Sequence, residues 1–182
     1  MNKLIILLLL GLVFSNVGAQ NRFFTKDARI NFNSSTPVED IIAESNQATT
    51  LIDLVKNEIA FSVLTTSFKF RRALMEEHFN ENYMESDKFP KSDFKGKIAN
   101  SKDVNFSKDG IYNTTVAGKL TIHGATNDVS VPGTITVSGN KIKLAAKFAV
   151  KLADYKITVP SLVEDKVAKE ASIILDAELT QK

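Results

Sequence analysis

From Lys141 to Lys151 the chain alternates cleanly, with Ile142, Leu144, Ala146, Phe148 and Val150 on one side and Lys141, Lys143, Lys147 and Lys151 on the other. Successive side chains of a strand point to opposite faces, so this pattern predicts a strand with one buried face. The same period recurs at Ile59, Phe61 and Val63, at Phe94, Gly96 and Ile98, and at Val116, Gly118, Leu120 and Ile122. It returns at Ile135 and Val137, and at Ala171, Ile173, Leu175, Ala177 and Leu179. Near the start, Arg22–Thr25 and Ala28–Asn33 predict a first hairpin turning at Lys26-Asp27, with Ile30 and Phe32 inward. Glu39–Ser45 and Ala48–Leu54 are two further short strand candidates. Turns are expected at Lys56-Asn57, at Lys108-Asp109-Gly110, at Ser138-Gly139-Asn140, and at Gly124 with Asn127 and Asp128. Asp154–Pro160 is expected to continue extended, and Ser161–Lys169 to hold one irregular helical turn.

The period changes at Phe68. Phe70, Ala73, Leu74 and Phe79 have helical spacing, which predicts one short helix over Arg71–Phe79 and a loop over Tyr83–Pro90. The chain is therefore expected to be all-β, an extended antiparallel β-barrel of about eight strands with one inserted helix. A meander with a single apolar face closes most readily into a barrel, which also removes exposed edges. The inward column is not uniformly bulky: Gly96, Thr114, Gly118 and Ala146 interrupt it. Small residues at mid-strand suit a cavity able to hold one ligand; strand coiling or a close-packed neighbour would also account for them. The candidate lining is Phe61, Val63, Phe94, Ile98, Val116, Gly118, Leu120, Ile122, Ala146, Phe148, Val150 and Tyr155.

The first residues stand apart from this pattern. A basic Met1-Asn2-Lys3, an apolar run over Leu4–Phe14 and a small-residue Val17-Gly18-Ala19 predict a secretory signal peptide over residues 1–19. Cleavage before Gln20 would leave a periplasmic or secreted domain over 20–182. The run is shorter than the roughly 20 residues of a membrane span, so no transmembrane segment is expected in the mature chain. With 0 Cys, neither a disulfide framework nor a lipid-bearing cysteine is available. The formal charge is +2, and Lys3 accounts for one unit of it. That balance gives no basic face for nucleic acid. The 12 Phe against 3 Tyr and no Trp favour a greasy interior.

Candidate chemistry is sparse. The chain has 2 His, at positions 78 and 123, and no nucleophile elbow, phosphate-cradling glycine loop or His-Glu-x-x-His pair. Glu77, His78 and Glu81 could be drawn as a metal cluster. On a helix, however, His78 points about 100° from Glu77, and a solvated acidic face is the better reading. His123 is expected to be a structural turn residue. Tyr155 beside Asp154 is either a barrel-rim tyrosine or a cap on a polar ligand head. No catalytic residue, metal or cofactor is expected.

Three motifs in order carry a resemblance: Glu77–Tyr83 followed by Asp87-Lys88-Phe89-Pro90, Leu120–Gly124, and Ala153–Pro160. Together they resemble the YceI-like, lipid- or polyisoprenoid-binding family over nearly all of the chain after residue 19. The resemblance implies a lipocalin-like barrel, a helix near one mouth, periplasmic export, no catalytic residues, and a cavity for a long isoprenoid or similar lipid. Three functions therefore remain open: a carrier of a long apolar molecule, a filled barrel serving as an interaction or adhesion module, and an enzyme acting on such a lipid.

Overall fold

The computed structural model describes residues 21–181. The expected leader over 1–19 lies outside them. Eight long antiparallel strands follow the chain as a meander: β1 (Arg22–Asn33), β2 (Ile42–Asp53), β3 (Glu58–Leu64), β5 (Lys91–Ile98), β6 (Gly110–Ile122), β7 (Ala125–Ser138), β8 (Lys141–Lys151) and β9 (Glu170–Gln181). Each pairs with its neighbour in sequence, and β1 pairs with both β2 and β9, which closes the barrel. A two-residue strand, β4 (Lys69–Phe70), adds to β2 beyond the end of β3. The single short helix among the described residues, α1 (Ala73–His78), lies in the long excursion between β3 and β5.

The structure departs from the sequence expectations at five places, each for a local reason. Arg22–Asn33 is one strand, not a hairpin. Lys26-Asp27 is a β-bulge, because Thr25 pairs with Thr50 and Ala28 with Ala48. The two candidates at 39–45 and 48–54 are likewise one strand, bulged at Asn46-Gln47 opposite, where Ala28 pairs with Ala48 and Ile30 with Ser45. Each bulge moves the inward parity by one residue, which bends the two strands together as closure requires. Asn127 and Asp128 are strand residues paired with Leu120 and Lys119. The turn is His123-Gly124 alone, with φ of 48° and 70°, the signature of a two-residue type I′ hairpin. Asp154–Pro160 is not continuously extended, since Leu152–Tyr155 is a 3-10 turn stopped by Lys156 at φ 59°. The helix spans Ala73–His78 rather than Arg71–Phe79, and a π-helical turn over Phe79–Tyr83 follows it.

The two ends of the barrel differ. At one end the strands are joined by Leu54–Asn57, Ala99–Asp109 and Gly139-Asn140, and Phe23, Ile52, Ile98, Val137 and Leu179 fill the bore with buried side chains. The opposite end carries the excursion over 65–90 and the segments 34–41 and 152–169, which form a roof. Thr65 closes the neck of the excursion: its N–H donates to the Pro90 carbonyl (2.9 Å) and its hydroxyl to the Phe89 carbonyl (3.0 Å). Ser34 and Ala168 exchange hydrogen bonds that tie the other two segments together. Phe79 seats the helical turn, with its ring 5.0–5.8 Å from those of Phe32, Phe68 and Phe70.

Candidate functional site

Between the filled end and the roof lies a cavity of about 190 Å³. Ile59, Ile135 and Leu144 lie toward its floor, and Phe68, Phe79, Met84, Leu152 and Ile157 bound it from the roof. The strand walls come from the inward positions that the alternation marks. Of the sequence candidates, Phe61, Val63, Phe94, Val116, Leu120, Ile122, Ala146, Phe148 and Val150 line it. Ile98, Gly118 and Tyr155 do not. Ile98 is buried in the filled end. Tyr155 is buried in a second cluster with Leu120, Ala125, Val150, Leu152 and Ala171, where burial pushes its phenol up from the ordinary value.

Gly118 corrects the reading of small residues as cavity-makers. It faces Gly96 across the β5–β6 pair, and a Cβ there would sit 2.3 Å from the Lys95 carbonyl oxygen. The glycine therefore admits a neighbouring backbone, not a ligand. Ala146 and Thr114 do border the cavity.

Sequence reasoning missed the roof. Phe68, Phe79 and Met84 sit outside the period-2 pattern, and their signal was only the density of aromatic residues between Phe68 and Phe89. It also missed Thr50, which lines the cavity, is fully buried, and has a hydroxyl with no hydrogen-bond partner among the described residues. The cavity wall carries no His, Lys or Arg. His123 lies outside it as a structural tie. Its Nε2 is 2.8 Å from Glu85 Oε2 and its Nδ1 3.2 Å from the Tyr155 carbonyl oxygen, with the Phe89 ring edge-on. Glu77 and Glu81 are exposed, and among the described residues no three His, Asp or Glu side chains gather as metal ligands.

An outer pocket of about 160 Å³ adjoins the cavity under the roof. Phe32, Phe79, Met84, Leu152 and Ile157 line both spaces and form a collar between them. Its surface is mostly apolar, as the cavity's is, but its lining residues include Ser34, Glu39, His78, Tyr83 and Lys166. Burial raises the Tyr83 phenol above its ordinary 10.0, so it stays an O–H donor near neutral pH.

An empty apolar cavity is costly. A space of this kind is what an apolar ligand would occupy with gain.

The fold has solved counterparts. A polyisoprenoid binding domain from Saccharophagus degradans, implicated in plant cell wall breakdown, superposes with a TM-score of 0.77 at 12% identity, covering 90% of this chain and 99% of that one. BcnA from Burkholderia cenocepacia gives 0.68 at 17% identity, over 85% and 96% of the two chains. The YceI protein of Campylobacter jejuni gives 0.55 at 15%, over 69% and 72%. At these identities the likeness speaks for the fold. No protein of curated function matches the sequence significantly. The YceI-like domain family matches residues 15–179, and the chain therefore belongs to the YceI-like family.

Proposed function

We propose that this protein is an exported carrier that holds a long apolar molecule, a polyisoprenoid or a similar lipid, in the barrel cavity. The observation that carries this reading is the apolar, roofed space of about 190 Å³, whose wall is built by the alternating face of nearly every strand. The structural counterpart described as polyisoprenoid binding supports the choice of ligand class. Export rests on the pattern of residues 1–19, and N-terminal sequencing of protein recovered outside the cytoplasm should begin at Gln20. Binding rather than catalysis is favoured by a wall without His, Lys or Arg.

The test pairs a ligand search with a blocking variant. Gentle mass spectrometry and organic extraction of protein purified from its own host should release a lipid. Ala146→Phe places a ring into the cavity from mid-β8. It should abolish binding of a fluorescent polyprenyl or fatty-acyl probe while leaving the denaturant midpoint unchanged or higher. Protein that never carries or binds such a molecule, and that Ala146→Phe destabilises by about 1–3 kcal/mol as an overpacked core would be, contradicts the carrier reading.

A further inference from the structure

The filled end of the barrel offers a chain no way out, because buried Phe23, Ile52, Ile98 and Leu179 pack its bore. A long molecule in the cavity can emerge past the collar, and the collar opens on the outer pocket. Its surface is mostly apolar too, but its lining adds Lys166, Tyr83 and His78, residue types the cavity wall lacks. Among the described residues Lys166 has no ion pair, and neither the Tyr83 hydroxyl nor the His78 ring has a hydrogen-bond partner. The pocket's carboxylate, Glu39, is held by an ion pair with Arg72. Lys166 is thus the charged wall residue left uncompensated, and Tyr83 supplies a donor beside it.

We propose that the outer pocket binds the polar head of an amphiphile whose tail lies in the barrel, and that this head is an anionic oxygen group, carboxylate or phosphate, paired with Lys166 and hydrogen-bonded by Tyr83. This rests on the carrier reading and adds the head-group class to it. An ammonium stem on an exposed loop side chain can swing to meet such an oxygen, and a charge-assisted bond at the edge of an apolar space is stronger than a neutral one. A cationic head would meet Lys166 as a like charge, and a bare hydrocarbon would leave both donors unused.

The experiment measures displacement of a fluorescent fatty-acyl probe from the full domain by hexadecanoate, hexadecyl phosphate, hexadecanol and hexadecylamine, with inorganic phosphate as a separate arm. The two anionic amphiphiles should compete about tenfold better than the alcohol or the amine of the same length. Lys166→Met should bring that ratio close to one, and Tyr83→Phe should reduce it in part. Lys102→Met, at the filled end, should leave it at the wild-type value. Circular dichroism and the denaturant midpoint confirm folding, and Lys166 is exposed, so little disruption is expected. A ratio near one in the wild type, or a ratio unchanged by Lys166→Met, overturns the head-group site while alcohol binding keeps the carrier reading alive. Inorganic phosphate that displaces hexadecyl phosphate by itself assigns the pocket to a free anion and also overturns the proposal. Failure of all four amphiphiles to displace the probe removes the carrier reading and this inference together.

Discussion

A Cβ on Gly118 would lie 2.3 Å from the Lys95 carbonyl oxygen and 2.4 Å from the Gly96 Cα, contacts that only a parting of β5 from β6 could relieve. Gly118→Ala should therefore lower the unfolding free energy by about 1–3 kcal/mol, read from urea midpoints. Thr50 presents the opposite case. Its buried hydroxyl lacks a partner, and a buried unsatisfied group costs about 1–3 kcal/mol. Thr50→Val keeps the shape and removes the group, so ligand-free protein should gain about 1 kcal/mol in the same assay, at the low end of that range. A loss of stability instead would indicate that water or ligand satisfies this hydroxyl in solution.

Among the elements, the β6–β7 hairpin does more than connect strands. His123 and Gly124 take the positive φ values of a type I′ turn, and the His123 ring reaches two roof segments at once, through Glu85 and the Tyr155 carbonyl. Both ring nitrogens lie within hydrogen-bond distance of oxygen atoms. Asn-Gly suits a type I′ turn, so His123→Asn should preserve the hairpin and cut the tie. The expected result is faster amide exchange in 85–89 and 153–157, exchange elsewhere unchanged, and a stability loss of about 1 kcal/mol. Uniformly faster exchange across all strands would mean that the hairpin itself had failed.

Over the whole molecule, acid sensitivity follows from three carboxylates that are held charged. The Lys56 backbone N–H (3.0 Å), helped by Arg22, keeps the Asp53 carboxyl below its ordinary 3.8, against the opposing effect of burial. Lys69 at 2.5 Å does the same for Glu76, and Lys141 at 2.6 Å for Glu178, both from an ordinary 4.5. A depressed folded-state value means that the stabilisation is complete above the unfolded value and fades as pH falls through the folded one. These contributions should be constant from neutral pH down to about 5 and decline below about 4. Asp53 joins the ends of β1 and β2 at the filled end, so Asp53→Asn should be less stable than wild type at neutral pH. The gap should narrow as the pH drops below 4, measured as the difference in urea midpoints. A gap that stays constant with pH would locate the effect in packing instead of charge.

Alternation along each strand depends on nearest neighbours and on one buried face, so the sequence alone determined the barrel class, the long strands β3 and β5 to β9 and most of the strand-borne cavity wall, including Phe61, Leu120, Phe148 and Val150. The resemblance carried by Leu120–Gly124 and Ala153–Pro160 pointed to the family that the whole-domain match established. A bulge and a two-residue turn both break alternation with two adjacent polar residues, so Lys26-Asp27 and Asn46-Gln47 read as ends of strands until their cross-strand partners were known. The difference between Gly118 and Ala146 was also illegible locally. One small residue faces a backbone and the other a void, and which it meets depends on the neighbouring strand. The roof was decided by tertiary structure alone. Phe32, Phe79, Met84, Leu152 and Ile157 come from three separate stretches of chain, and only their convergence divides the inner cavity from the outer pocket.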